Sequence, residues 1–205
     1  MILRRLARAY PDAHCELDFK TPFQLLAATI LSAQCTDKAV NKVTPALFRR
    51  YPSPVLLARA RRAQVETLIR SIGLYRHKAR HLVGMAQALV KSHRGEVPQG
   101  MEELVALPGV GRKTANVVRS NAFGLPGLAV DTHVLRVGRR LGLFASQDPA
   151  EVERELGALV PPEKWGLCSH WLIWHGRRVC GARSPNCAAC PLETLCPSSG
   201  LKAGL

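Results

Sequence analysis

The chain has 205 residues, of which 47% are hydrophobic, and its 29 Lys and Arg against 15 Asp and Glu give a formal net charge of +14. This length and composition predict a folded protein of one or two domains, and they exclude disorder, a collagen and a coiled coil. No apolar run approaches the ~20 residues that span a bilayer, so no membrane helix is expected. A chain this basic is suited to binding polyanions.

Helical signals recur along the whole chain, whereas no segment alternates with the period of two that marks a strand. A capping residue precedes proline at Thr21-Pro22, Ser53-Pro54 and Asp148-Pro149, and each pair predicts a helix start. The predicted helical segments are 1–10, 23–31, a segment capped by Asp37 and broken at Pro45, one opened by Ser53-Pro54, 65–72, 82–90, 101–107, 112–122, 130–141, 149–160 and 165–175. The fold class is therefore predicted to be all-α.

The basic residues are concentrated in two segments. Residues 49–80 contain nine Lys or Arg and one acid, Glu66, and residues 104–140 contain six Lys or Arg and one acid, Asp131. This distribution favours nucleic-acid binding, although ribosomal and membrane-surface proteins share it.

The sequence LVALPGVGRKTANVV, residues 104–118, predicts two helices joined by a tight turn. Pro108 ends the first helix, and Gly109 and Gly111 permit positive φ and a close approach of the backbone to a ligand. The start of the second helix carries free N–H groups and the positive end of the helix dipole, which suits a phosphate. A plain connection between two helices is the alternative interpretation.

Four of the seven cysteines fall within seventeen residues, in the spacing Cys-x6-Cys-x2-Cys-x5-Cys. An odd total is not typical of a secreted disulfide framework, so the cluster predicts a metal centre. Spacing alone leaves iron–sulfur and zinc both open. The ligands would be Cys180, Cys187, Cys190 and Cys196, whereas Cys15, Cys35 and Cys168 are interpreted as small buried residues.

The hairpin, the sequence VDTHV at 130–134 and the cysteine spacing together resemble the endonuclease III family of helix-hairpin-helix DNA glycosylases. The segments LLAATILSAQCTD (25–37) and SIGLYRHKA (71–79) match the same family, and the resemblance covers about residues 20–196. It implies a two-lobed all-α fold. A six-helix barrel over 15–125 would carry the hairpin at 104–118, and residues 1–14 with 126–205 would form an iron–sulfur cluster domain, with DNA in the cleft between the lobes.

The resemblance also implies a bifunctional DNA glycosylase and abasic-site lyase that excises oxidised pyrimidines of the thymine glycol type in base excision repair. Its catalytic residues would be Lys113 and Asp131. Attack at the sugar C1′ needs a nucleophile and a carboxylate near the developing charge, as in glycosidases. Burial and neighbouring cations such as Arg112 are expected to keep part of the lysine amine neutral. The alternatives are a phosphate contact for Lys113 and a helix cap for Asp131.

A base hidden in a duplex must be flipped out before it can react. By the family match, Gln34 would contact a base edge and Leu74 would act as an apolar wedge, the alternatives being a polar helix end and a core leucine. The remaining expected DNA-contacting residues are Ser32, Asp37, Gly109, Val110, Gly111, Arg112 and His133.

The implied cofactor is a 4Fe-4S cluster, and the implied partner is double-stranded DNA with a damaged base or an abasic site. A monomer in the bacterial cytoplasm, associated with the nucleoid through DNA, is expected. The rival functions are an adenine or mismatch glycosylase without lyase activity and a non-catalytic DNA-binding protein with a zinc site. Val105, Cys35 and Pro45 depart from the family pattern. Cys35 and Pro45 lie beside Gln34 and leave lesion preference and helix geometry open.

Overall fold

The structure is a computed structural model that describes residues 1–200. Within that range the regular structure is helical, and the only extended pairing is an isolated bridge between Cys180 and Pro185. The all-α prediction is confirmed. No helix in the described range is long and apolar enough to cross a membrane.

The described residues form eleven α-helices. In chain order they are α1 (Ile2–Ala9), α2 (Pro22–Leu31), α3 (Asp37–Arg50), α4 (Pro54–Ala58), α5 (Arg62–Leu68), α6 (Tyr75–Ser92), α7 (Met101–Val105), α8 (Arg112–Phe123), α9 (Thr132–Arg140), α10 (Pro149–Ala158) and α11 (Trp165–Arg178). Short 3₁₀ turns lie at Pro162–Lys164 and Glu193–Leu195.

The helix starts follow the capping signals of the sequence. The Thr21 hydroxyl accepts a hydrogen bond from the Gln24 N–H at 3.2 Å, and Asp148 accepts from the N–H groups of Ala150 and Glu151 at 2.9 and 3.0 Å. These side chains satisfy first-turn donors that have no partner inside the helix. The predicted pairing of a cap with proline is confirmed at the starts of α2, α4 and α10.

The prediction for α3 is wrong in two respects. Thr36, not Asp37, is the N-cap, because its side chain accepts from the Ala39 N–H. Pro45 does not break the helix, which continues to Arg50. Val40, Val43, Thr44 and Leu47 are all buried on one face, and this tertiary packing offsets the backbone hydrogen bond that the proline removes.

The chain divides into two compact units. We call Glu16–Leu125 the hairpin unit, and Met1–Cys15 with the chain from Pro126 onward the cysteine unit. In the hairpin unit α2 is buried almost all round and packs against α3, α6 and α8. In the cysteine unit α11 packs against α1 and α9 around a core that includes Leu6, Val134 and Leu172.

Candidate functional site

A tight turn joins α7 to α8. Leu107 is buried, and its carbonyl accepts from the Val110 N–H at 3.1 Å. Gly109 has a φ of +79°, and a Cβ there would lie 2.8 Å from the Cβ of His81. Gly111 is extended, caps α8 and has nothing within 4 Å of a built Cβ. The turn is therefore packed at Gly109 and open at Gly111, where an anion can approach the helix start.

The structure places Val110 differently from the other hairpin residues. Its side chain is buried and its N–H is used to close the turn. Of the residues expected to contact DNA here, Gly111 and Arg112 are exposed, whereas Val110 serves the turn itself.

Lys113 is the second residue of α8, and its side chain is exposed. The expectation that Lys113 is buried is wrong, because α8 buries the face that carries Ala115, Asn116 and Val118. The amine therefore lies beside the open start of the helix, where the dipole favours anionic ligands.

Asp131 is the N-cap of α9. Its Oδ1 accepts from the N–H groups of His133 and Val134, both at 2.8 Å. The interpretation of Asp131 as a helix cap is therefore correct, although it accounts for only one of the two carboxylate oxygens. Within the described residues the second oxygen, Oδ2, accepts no hydrogen bond, and the side chain is partly exposed. One carboxylate can thus fix the helix start and still face a ligand.

His133 belongs to a tightly packed contact between α9 and α11. Burial lowers the pKa of its imidazole, and the charge of Asp131 opposes that change. Its Nδ1 lies 3.1 Å from a guanidinium nitrogen of Arg136, which also donates to the carbonyls of Gly176 and Cys180 at 2.9 and 3.1 Å. A Cβ at Gly176 would lie 2.9 Å from both side chains, so only glycine allows this approach.

Gln34 and Leu74 share an unusual backbone conformation. Their φ angles are +51° and +57°, in the left-handed region that disfavours side chains by about 1–2 kcal/mol per residue. Strain of this kind concentrates at functional sites. Leu74 is 54% exposed, so the core interpretation of this leucine is wrong. Both side chains are available to a ligand of the hairpin unit.

Ser32 and Asp37 lie at the two ends of the turn that carries Gln34. Ser32 ends α2, and its hydroxyl donates to the Thr29 carbonyl at 2.8 Å. Asp37 is the first residue of α3, where its charge favours the helix dipole. Both positions have a structural role in holding the turn.

Sequence reasoning missed Lys78, which follows Leu74 on α6. Its side chain is 3% exposed, and its Nζ has no hydrogen-bond partner among residues 1–200. Burial lowers the pKa of this lysine, and the nearby Cys35 opposes that change. The helical period could have indicated that Lys78 is buried, because it lies four residues before the buried Leu82 on the same face of α6.

The four clustered cysteines line one cavity in the cysteine unit, together with Arg140 and His175. Each of the four is partly exposed. Burial raises the pKa of the Cys190 thiol, and the charges of the other three cysteines raise it further, against the effect of the Leu192 N–H. No group of three or more His, Cys, Asp or Glu side chains in residues 1–200 is arranged to hold a single metal ion.

Two of these sulfurs accept hydrogen bonds from neighbouring N–H groups, whereas Cys196 Sγ contacts the Arg140 carbonyl at 3.4 Å. The Arg140 guanidinium donates to Cys180 Sγ at 3.3 Å and to the carbonyls of Gly181 and Ala182 at 2.7 and 2.8 Å. The Leu192 N–H donates to Cys190 Sγ at 3.4 Å. A cation and N–H donors stabilise thiolates, so this set of cysteines fits a thiolate-bound cluster. Sequence reasoning missed Arg140 because it lies 40 residues from Cys180.

The interpretation of the three scattered cysteines is only partly correct. Cys168 is fully buried in the core of the cysteine unit, where burial raises its pKa to about 12. Cys15 and Cys35 are partly exposed because they lie in connecting segments rather than on a buried helix face.

Comparison with known proteins places this geometry in a family. Residues 27–162 match the model of the HhH-GPD superfamily base excision DNA repair protein. Endonuclease III of Synechocystis sp. is 55% identical over 199 residues, which cover 97% of this chain and 91% of that one.

Two solved structures show the same fold. A non-covalent endonuclease III–DNA complex matches with a TM-score of 0.94 and 48% identity, covering 100% of this chain and 96% of that one. A trapped endonuclease III–DNA covalent intermediate, an estranged-adenine complex, matches with a TM-score of 0.93 and 49% identity, covering 98% and 95%. Since the superfamily match spans more than half of the chain and the relative is similar over almost all of it, this chain belongs to the endonuclease III family of base excision DNA repair proteins.

Proposed function

We propose that this chain, a bifunctional base excision repair glycosylase, removes oxidised pyrimidines from duplex DNA with Lys113 as nucleophile and Asp131 as its carboxylate partner. The observation that carries the proposal is the position of Lys113. It is an exposed amine in the first turn of α8, directly after a glycine turn that is open to phosphate. Lesions of the thymine glycol type are the expected substrates.

The chemistry follows from the two side chains. The lone pair of the Lys113 amine attacks the sugar C1′, the bond to the damaged base breaks, and the base leaves with a proton from the amine. The bond from C1′ to the ring oxygen then breaks, the oxygen takes up a proton, and C1′ is joined to the lysine as an iminium. Loss of a proton from C2′ then eliminates the 3′ phosphate and nicks the strand. Asp131 Oδ2 would stabilise the positive charge that develops on the sugar, as a carboxylate does in glycosidases. Its Oδ1 remains committed to capping α9.

The flipped base leaves a gap in the duplex that must be filled. Leu74 offers an exposed apolar side chain, and Gln34 offers an amide with donors and an acceptor for the orphaned base. The left-handed backbone at both positions holds each side chain at the apex of a turn. The proposed partner is therefore double-stranded DNA that carries a damaged base or an abasic site.

The four clustered cysteines would hold a 4Fe-4S cluster. Their shared cavity and the surrounding N–H donors support this cofactor. When bound, the cluster supplies a rigid cross-link among its four thiolates and a one-electron redox centre. The chain around it presents Arg178 and Arg183, which are exposed and suited to the phosphate backbone.

Borohydride trapping on a duplex with one thymine glycol tests the nucleophile. We expect the wild-type chain to form a covalent protein–DNA adduct, and Lys113→Ala and Lys113→Arg to form none. The arginine variant keeps the positive charge, but its guanidinium stays protonated and cannot attack. Lys91→Ala, at an exposed lysine near the end of α6, is the matched control and should trap normally.

An adduct that survives in Lys113→Arg would reject Lys113 as the nucleophile. Base release with no adduct in the wild-type chain would instead indicate a glycosylase without lyase activity. Iron and zinc analysis of the purified protein tests the cofactor separately, with about four irons per chain expected.

A further inference from the structure

A line of buried polar contacts leads from the end of α1 to the cysteine cavity. The Tyr10 hydroxyl lies 2.9 Å from Nδ1 of His175, and Nε2 of the same ring lies 3.7 Å from Sγ of Cys190. Tyr10 is 7% exposed and His175 is 1% exposed. Water therefore has almost no access to either side chain, so the Tyr10 hydroxyl and Nδ1 of His175 must satisfy each other, and Nε2 must use Cys190.

The direction of these hydrogen bonds is fixed once Cys190 binds a metal. A coordinated thiolate has no proton and only accepts, so Nε2 of His175 must carry its hydrogen and donate it to the sulfur. Nδ1 is then a bare acceptor, and the Tyr10 hydroxyl must donate to it. Tyr10 therefore selects the imidazole tautomer that points a donor at Cys190.

The fold holds this arrangement from both sides. The Tyr10 ring packs edge-on against His175 and Trp174, with centroid distances of 5.9 and 6.5 Å. The His175 carbonyl accepts from the N–H groups of Val179 and Cys180 at 2.9 and 2.8 Å, which ties the end of α11 to the cysteine loop. The imidazole thus has little freedom to turn away from Cys190.

We propose that Tyr10 and His175 are positioning residues that set the electron density on Cys190, and through it the redox potential and the retention of the bound cluster. This inference rests on the cofactor proposed above. Hydrogen bonds to cluster sulfurs withdraw charge from them and stabilise the reduced cluster, so they raise its potential. Without the Tyr10 hydroxyl, Nδ1 loses its donor, the ring can move its hydrogen there, and a lone pair then faces the thiolate.

The test uses four variants of the full-length, iron-loaded protein. Tyr10→Phe removes only the hydroxyl and keeps the ring, and His175→Phe removes the donor to the sulfur. His175→Gln restores an amide N–H near the position of Nε2. Tyr51→Phe is the matched control, because it removes a buried tyrosine hydroxyl that contacts Gln64 at 3.3 Å in the hairpin unit.

Iron content is measured first, because a wild-type chain without iron would reject the proposed cofactor rather than this inference. In loaded protein the one-electron midpoint potential is then measured by spectroelectrochemistry, and iron release to a chelator is timed. We expect the midpoint potential of His175→Phe to be lower than that of the wild type by about 59 mV. For one electron this is a tenfold change in the equilibrium constant of reduction. The midpoint potential of Tyr10→Phe should fall by a smaller amount. Both variants should release iron several-fold faster than the wild type.

His175→Gln should restore most of the midpoint potential that His175→Phe loses, and Tyr51→Phe should have the midpoint potential and iron release of the wild type. Electron–nuclear double resonance on the reduced cluster, with ¹⁵N-labelled histidine, should show a nitrogen coupling that His175→Phe abolishes. Unchanged potential, iron release and coupling in loaded Tyr10→Phe would overturn the inference. If His175→Phe fails to load, Tyr10→Phe and His175→Gln decide the outcome.

Discussion

Asp131 would have two roles in the proposed mechanism, one for each of its carboxylate oxygens. Oδ1 accepts hydrogen bonds from two first-turn N–H groups of α9, and Oδ2 would face the sugar. A capping function and a catalytic function are often treated as competing explanations of an aspartate. Here the cap holds the carboxylate in one orientation, which would prepare its second oxygen for the proposed reaction.

Two substitutions separate these roles. Asp131→Asn keeps a good N-cap, so the free energy of unfolding should change by only a few tenths of a kcal/mol, while base release should slow by about 10²–10⁴-fold. Asp131→Ala should lose the same activity and also about 1 kcal/mol of stability. Single-turnover kinetics and urea unfolding measure the two quantities. Normal base release by Asp131→Asn would limit Asp131 to its capping role.

At the scale of elements, the hairpin between α7 and α8 depends on two glycines for different reasons. Gly109 needs its left-handed φ and its closeness to His81. Gly111 has ordinary extended backbone and open space around it, so its lack of a side chain matters for what approaches from outside. The sequence motif does not distinguish the two positions, whereas the backbone geometry does.

This difference predicts opposite outcomes for two alanine variants. Gly109→Ala should lower the free energy of unfolding by about 2 kcal/mol or more, from the strained φ and the contact with His81. Gly111→Ala should change stability by at most about 1 kcal/mol but weaken binding to an abasic-site duplex by about tenfold, through loss of a charge-assisted hydrogen bond. Circular dichroism during urea unfolding and equilibrium DNA binding check both. Equal affinities of Gly111→Ala and the wild type would exclude a phosphate contact at this turn.

The three helices α2, α6 and α8 show how elements carry the site. α2 leads into the turn at Gln34, Leu74 caps α6, and α8 carries Lys113. Because α2 packs against both α6 and α8, the proposed nucleophile and the two side chains proposed to contact the opened duplex are held on one packed framework. The buried face of each helix and the glycine turn before α8 were predictable from local signals, whereas the left-handed backbone at Gln34 and Leu74 was not.

At the scale of the whole molecule, the two units differ in how they can be observed. All three tryptophans, Trp165, Trp171 and Trp174, lie on α11. Tryptophan fluorescence therefore follows the cysteine unit, whereas far-ultraviolet circular dichroism follows the helices of both units.

His170, also on α11, makes the stability of the cysteine unit depend on pH. Burial lowers its pKa from 6.5 to about 4, and the charges of His14 and Arg177 act in the same direction. Because the folded pKa is the lower one, the unfolded chain binds the proton first as pH falls below 6.5, and stability is lost toward pH 4. Between pH 7 and 5 the loss from this residue should reach up to about 2 kcal/mol.

Urea unfolding followed by tryptophan fluorescence at several pH values measures this loss. His170→Gln should reduce the dependence between pH 7 and 5 without abolishing it, because burial also lowers the pKa of His175 to about 4. His77→Gln, at an exposed histidine on α6, should leave the dependence unchanged. An equally steep dependence in His170→Gln would assign the effect to other groups.

Local signals determined much of this protein from the sequence alone. Caps, prolines and the apolar period act within a few residues, and they predicted the all-helical class and the hairpin at Gly109 and Gly111. The resemblance to a family then supplied Lys113 and Asp131. At Pro45 the local helix-breaking signal was weaker than the tertiary packing of α3, and the predicted break in the helix was wrong.

Only the tertiary structure decided which side chains meet across the chain. Tyr10 reaches His175 over 165 residues, and Arg140 reaches Cys180 over 40. Lys78 becomes buried, and Gln34 and Leu74 adopt left-handed backbone, because helices distant in sequence pack around them. The periodic pattern of apolar residues does not reveal such contacts, because they depend on how whole helices pack rather than on the preferences of neighbouring residues.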